Sequence, residues 1–91
     1  MPAGTDIWHP TQLAPGMAYK ERKGCSDGIY AIAIIAPTLS DRWSVAIYKS
    51  YPPSSDNRVY EKDWGSRAKA MNDGDAKMEQ WVASEKVQRG Y

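Results

Sequence analysis

The chain predicts an α+β domain: a three-stranded antiparallel sheet packed against one long C-terminal helix, with a flexible N-terminal arm. Two observations point to the sheet. Residues 28–37 and 42–51 place apolar side chains at every second position, the period of a strand. A third observation points to the helix. In residues 66–82, apolar and small residues return every three or four positions, one face of a helix. Ninety-one residues suffice for one domain, read here as residues 18–91 with the arm in residues 1–17. A chain of this size buries little more than ~60% of its unfolded surface, so it gains from pairing with another copy.

The arm comes first. Residues 1–16 hold three prolines and two glycines and show no period, so they are expected to be loosely ordered and pinned at Ile7 and Trp8. Residues 17–28 are polar and rich in turn formers, with Tyr19 and Lys20 as a short edge strand. The first long strand is residues 28–37. Tyr30, Ile32 and Ile34 point one way, and Ile29, Ala31, Ala33 and Ile35 the other. The alanine-rich face lets another layer approach closely. "PTLSD" supplies turn chemistry before the second strand, in which Trp43, Val45 and Ile47 alternate with Arg42, Ser44, Ala46 and Tyr48. "PPSSDN" cannot continue a sheet. A third strand follows at residues 58–64, with Arg58, Tyr60 and Lys62 on one face; its charges mark an edge.

Ser66 is placed to cap the helix. Ala70, Met71, Gly74, Met78, Trp81 and Val82 fall within an arc of about 120°, and Asp73, Asp75 and Glu79 fall outside it, on the wet side. Glycine inside a helix costs about 1 kcal/mol relative to alanine. That cost is understood if Gly74 brings the helix close to the sheet. "NDGD", residues 72–75, lacks the ligand spacing of an EF-hand loop, so no metal is expected.

Twelve Lys and Arg against eleven Asp and Glu leave a net charge of +1, which argues against binding driven by phosphate charge alone. The aromatics are four Trp and six Tyr with no Phe, a choice that suits half-exposed positions meeting a partner. Cys25 is alone, which excludes an intrachain disulfide and fits a reducing compartment. Residues 1–10 lack the basic start and apolar run of a signal peptide, and the longest apolar run, residues 29–36, is too short to span a bilayer. A cytoplasmic location is expected.

A tyrosine opens the first strand, "RW" opens the second, and a polar loop and a short third strand lead into a helix reading Ser-Arg, Ala, Gly and an aromatic-aliphatic pair. On Tyr30, Arg42, Trp43, Ser66, Arg67, Ala70, Gly74, Trp81 and Val82, the chain resembles the small β-β-β-α proteins found in many proteobacteria. The resemblance covers residues 28–83. It implies that fold and a bacterial or phage origin, and it carries over no catalytic residue.

Nothing in the chain assembles into a catalytic set. His9 is the one histidine and has no Cys or acid at ligand spacing. Cys25 lies near Lys20, Arg22 and Lys23, but nucleophilic catalysis needs a base in reach. No phosphate loop, zinc pattern or carboxylate pair stands out, so no enzyme activity and no cofactor are expected. Binding has more to work with. One helix cannot cover both faces of the first strand, so either Ile29 and Ile35 or Tyr30 and Ile34 stay open for a protein partner or a second copy. That suits a homodimer, or a regulator, adaptor or inhibitor acting on a host protein. The alternative is an accessory protein that binds nucleic acid through Arg42, Tyr48, Arg58, Tyr60 and Lys62 on one exposed sheet face.

Overall fold

The computed structural model describes residues 7–90. Its elements are β1 (His9–Pro10), β2 (Ala18–Arg22), β3 (Ala31–Pro37), β4 (Trp43–Tyr48), a 3-10 turn (Ser55–Asn57), β5 (Arg58–Trp64) and α1 (Arg67–Arg89). The strands lie in the sheet in chain order, each antiparallel to the next. The α+β class holds, with one C-terminal helix on an antiparallel sheet. The sheet, however, has five strands rather than three. The additional strands come from segments read as arm and turn. Of the expected arm, residues 1–6 lie outside the described residues, while His9 and Pro10 pair with Tyr19 and Ala18.

β2 was expected only as a short edge strand at Tyr19 and Lys20, because its sequence, AYKER, is mostly charged; it runs from Ala18 to Arg22 and lies inside the sheet, between β1 and β3. Lys20 and Arg22 nevertheless lie opposite Ala33 and Ala31 on the helix side. Small neighbours leave room for their aliphatic stems, and each head reaches an acid at the margin. Between β3 and β4 the Thr38 hydroxyl accepts from the backbone of Ser40 and Arg42, and Asp41 takes a positive φ of 58°. Aspartate is one of the few residues that tolerate this region.

α1 packs on the alanine-rich face. Ala31, Ala33 and Ile35 of β3 and Val45 and Ile47 of β4 are fully buried beneath it. Ser66 caps the helix, its hydroxyl accepting from Lys69 N at 3.2 Å, and Gly90 ends it at a φ of 83°. Ala70, Gly74, Met78 and Val82, four apart, form the buried stripe, with Met71 and Trp81 half-buried beside it. A β-carbon on Gly74 would stand 3.1 Å from both the Trp8 ring and Val45. Glycine is the residue that lets the helix lie this low.

Asp73 and Asp75 depart from expectation. They do not face open water: Asp73 accepts from Tyr60 and Trp64 of β5, and Asp75 from Trp8 and Lys20. They border the buried stripe, where polar tips from the sheet margins rise to meet them. Trp8 and Tyr60 pack against both halves of the core.

Candidate functional site

The sheet face opposite α1 carries no helix. On it Tyr19 lies opposite Ile34, and Ile32 lies between Glu21 and Tyr48. The connection from β1 to β2 rises at the Ile34 end, and the loop after β4 rises at the Ile32 end. Together they enclose a shallow groove of about 760 Å³ lined by Thr11, Leu13, Met17, Tyr19, Glu21, Lys23, Tyr30, Ile32, Ile34, Tyr51 and Pro53. Its floor is closely packed, with Ile32 only 5% exposed, while its rims stand out, Leu13 at 84% and Tyr51 at 73%.

Local hydrogen bonds set both rims. In the first loop Thr11 N donates to Met17 O at 3.0 Å, and Leu13 N donates to the Thr11 hydroxyl at 3.0 Å. In the second, the Asn57 amide donates to the Ser50 hydroxyl at 2.8 Å and Pro52 O at 2.9 Å, and its oxygen accepts from Ser54 N at 3.0 Å. Polar groups in the groove are largely satisfied within it. The Tyr30 hydroxyl donates to Glu21 at 2.6 Å, and burial together with that carboxylate pushes the phenol above its ordinary range. Lys23 lies 3.5 Å from Glu21, and the His9 ring lies 5.3 Å from that of Tyr19. What remains for a partner is apolar and aromatic.

The two candidate partner pairs separate cleanly. Tyr30 and Ile34 line the groove. Ile29 and Ile35 are 1% and 0% exposed beneath α1, so that pair belongs to the core rather than to an interface. The helix took their face because its alanines admit a close approach.

The five candidate nucleic-acid residues do not share a face. The β4–β5 register slips by one residue, so that Ile47 faces Tyr60 while Tyr48 faces Arg58, leaving Val59 without an opposite partner. A slip of this kind breaks the alternation of side chains along a strand. Arg58 therefore stands beside Tyr48 on the helix-free side, and Tyr60 turns under α1 to bond Asp73. Lys62 Nζ sits 4.3 Å from the centre of the Trp64 ring, and Arg42 donates to Asp63 O at 3.4 Å. Glu61 and Asp63, opposite Ala46 and Ser44, add negative charge to the helix-free side.

A second cleft, of about 490 Å³, runs between β2 and α1 and includes Lys20, Arg22, Asp75 and Lys86. These four pair among themselves or with Asp27: Lys20 with Asp75 at 2.7 Å, Arg22 with Asp27 at 2.7 Å, and Lys86 with Asp27 at 3.9 Å. The Arg22 guanidinium and the Ile29 N–H hold the Asp27 carboxyl well below the usual range. This network fastens the helix's C-terminal half to the sheet. Cys25 lies half-buried in the β2–β3 turn, its thiol 3.9 Å from Lys23 O. Among the described residues no group of three His, Cys, Asp or Glu is placed to hold a metal ion, and no helix is long and apolar enough to cross a membrane.

The groove residues not picked out from the sequence include Leu13, Met17, Tyr51 and Pro53, together with Tyr19 and Ile32, which were read as strand but not as site. Tyr51 was expected to end a strand over residues 42–51 but lies beyond β4, which stops at Tyr48. Leu13, Met17 and Pro53 sit in Pro- or Gly-containing loops, and no local pattern says which sheet face such a loop will flank. No protein-family model, curated protein or solved structure matches the chain.

Proposed function

We propose that the chain is a small non-catalytic protein-binding module that docks a protein surface, a second copy of itself in the first instance, on its helix-free sheet face. One observation carries this reading: the groove walled by Leu13 and Met17 at one end and Tyr51 and Pro53 at the other, with Tyr19, Ile32 and Ile34 as its floor. Tyrosine supplies large contact area with few rotors to immobilise, which is why it is enriched at interfaces. The projecting rims and recessed floor suit a two-fold stack in which the rims of one copy enter the groove of the other. A module of this kind fits a regulator, an adaptor or an inhibitor of a host protein.

The β5 edge offers a poorer route to self-association. Two-fold antiparallel pairing centred on Glu61, Lys62 or Asp63 would set that residue against its own copy, and like charges directly opposite repel. Nucleic-acid binding loses its common face with Tyr60 and Lys62 turned to the helix side.

The test is the mass in solution by light scattering, at low and high salt, with and without a short oligonucleotide. The expected result is a salt-resistant dimer, indifferent to the oligonucleotide and reduced to monomer by Ile34→Asp with its circular dichroism unchanged. A monomer that gains mass only with oligonucleotide at low salt overturns the reading. So does a dimer that survives Ile34→Asp at dilutions where each chain keeps its own N-terminal arm.

A further inference from the structure

The segment before β2 is anchored in the core through Trp8, while β1 pairs with β2 at His9–Tyr19 and Pro10–Ala18 and the His9 ring lies against that of Tyr19. Trp8 packs against both halves of the core, and two of its ring carbons would lie 3.1 Å from a β-carbon on Gly74. At the rim its Nε1 donates to Asp75 Oδ1 at 3.0 Å, the same oxygen that accepts from Lys20 Nζ at 2.7 Å. An apolar slot with one acceptor at its edge matches an indole, which has a large ring, one N–H donor and no acceptor. The backbone adds little beside it. β1 is two residues long, and Ile7 before it is 59% exposed.

The connection that follows is built to hinge. Gln12 and Leu13 are exposed, and the turn rests on a few bonds, Leu13 N to the Thr11 hydroxyl and Met17 N to Ala14 O among them. Beyond it the chain is anchored again: Gly16 O accepts from Arg67 Nε at 2.8 Å, and Gly16 sits against Trp43, which a β-carbon would meet at 2.6 Å. Residues 11–15 thus span the interval between the Trp8 and Gly16 anchors.

We propose that this arm is exchangeable: the socket beneath Gly74 in one copy accepts the Trp8 arm of a second copy, so that two chains associate by swapping residues 7–10. The swapped and unswapped forms make the same socket contacts, so the hinge and the chain concentration decide between them. A short tether presents the arm to its own socket at an effective concentration on the order of mM. Dilute chains keep their own arms, and chains brought together exchange them. Because Leu13 belongs to the hinge, exchange also removes one wall of the helix-free groove.

Two full-length variants test this, both carrying Ile34→Asp so that stacking of helix-free faces is silent. Trp8→Ala has an open socket and a dead arm; Gly74→Val has a blocked socket and a live arm. Each alone is expected to be a monomer, and their equimolar mixture to show a species of twice the mass. A mixture that stays monomeric while both variants are folded by circular dichroism overturns the proposal. Should Gly74→Val not fold, a fluorescent peptide of residues 4–12 is titrated into the Trp8→Ala chain. Saturable binding, weakened at least tenfold when the peptide's own Trp8 is replaced by alanine, supports exchange. No saturable binding to the folded chain overturns it.

Discussion

Asp73 and Asp75, with Gly74 between them, grip opposite margins of the sheet. Asp73 accepts from the Tyr60 hydroxyl and, at 3.0 Å, from Trp64 Nε1 of β5. Asp75 accepts from Trp8 Nε1 at 3.0 Å and Lys20 Nζ at 2.7 Å on the β1–β2 side. Successive helical residues are rotated by about 100°, so the neighbours of a buried glycine project to either side of it. One tripeptide thus rests on the middle of the sheet and holds both edges.

Replacing either acid by alanine should lower stability, because each leaves two partly buried donors without their acceptor. Hydrogen bonds to a charged group contribute about 1.5–3 kcal/mol. Asp75, whose side chain is 44% exposed, belongs at or below the lower end of that range. The two clamps share no hydrogen-bond partner but stand two residues apart on one helix, so the double variant in urea unfolding should depart from additivity by their coupling.

Gly74→Ala separates helix propensity from packing. In an open helix the change would gain about 1 kcal/mol. Here the new methyl would meet Trp8 and Val45 at 3.1 Å. Val45 is fully buried and Trp8 is pinned by Asp75, so neither yields easily. Overpacking of this sort costs about 1–3 kcal/mol, and the net effect should be destabilising. In a Trp8→Ala background the ring's share of the obstruction is gone while Val45 remains at 3.1 Å, so the same substitution should cost less. A double-mutant cycle reads the difference directly.

Acid should unfasten the Asp27 network. Its carboxyl titrates well below the usual range in the folded chain because Arg22, Ile29 N–H and Lys86 favour the charged form. A depressed folded pKa means stability that is present above the unfolded value of about 3.9 and is lost as pH falls below it. Asp27→Asn should flatten the acid limb of a thermal-melt series below about pH 4 and be destabilising at neutral pH.

Alkali should act through tyrosine. Burial, then the hydrogen bond to Asp73, pushes the Tyr60 phenol up to about 12. A raised folded pKa means stability that is fully present below the unfolded value of about 10 and is lost as pH rises through the folded one. Phenolate absorbance should show Tyr60 and Tyr30 titrating above the ordinary phenol range. Tyr60→Phe should remove part of the loss of stability between about pH 10 and 12.

The strongly periodic elements could be read in advance because their burial is written in spacing. Ala70, Gly74, Met78 and Val82 recur every fourth residue, and Ala31, Ala33 and Ile35 alternate along β3. β2 was obscured because Lys20 and Arg22 are charged, and the partner that admits Lys20 to the sheet is Asp75, 55 residues away. Distance in sequence also hid Trp8, 67 positions from Asp75, whereas Asp73 lies only 9 positions from Trp64 but across the turn into α1, where no shared period relates the two. The split of Arg58 from Tyr60 came from one register slip in a strand whose residue types read as unbroken alternation. Of the groove, Tyr30 and Ile34 were visible as one face of β3. Its rims were not, since loops carry no periodic signal.

The chain-ordered sheet has a kinetic consequence. Each strand pairs with the one that precedes it, so the sheet can grow hairpin by hairpin, without a long-range search for strand partners. The bond from Trp8 to Asp75 is of another kind, joining residues 67 positions apart. Closing so large a loop is rewarded only after the helix has docked, which places this contact late on the folding route. Shortening Trp8 should then leave the refolding limb of a chevron almost unmoved and steepen the escape from the native state, because an interaction absent from the transition state is felt in the unfolding rate. The arm that closes the structure last is the part that opens it first.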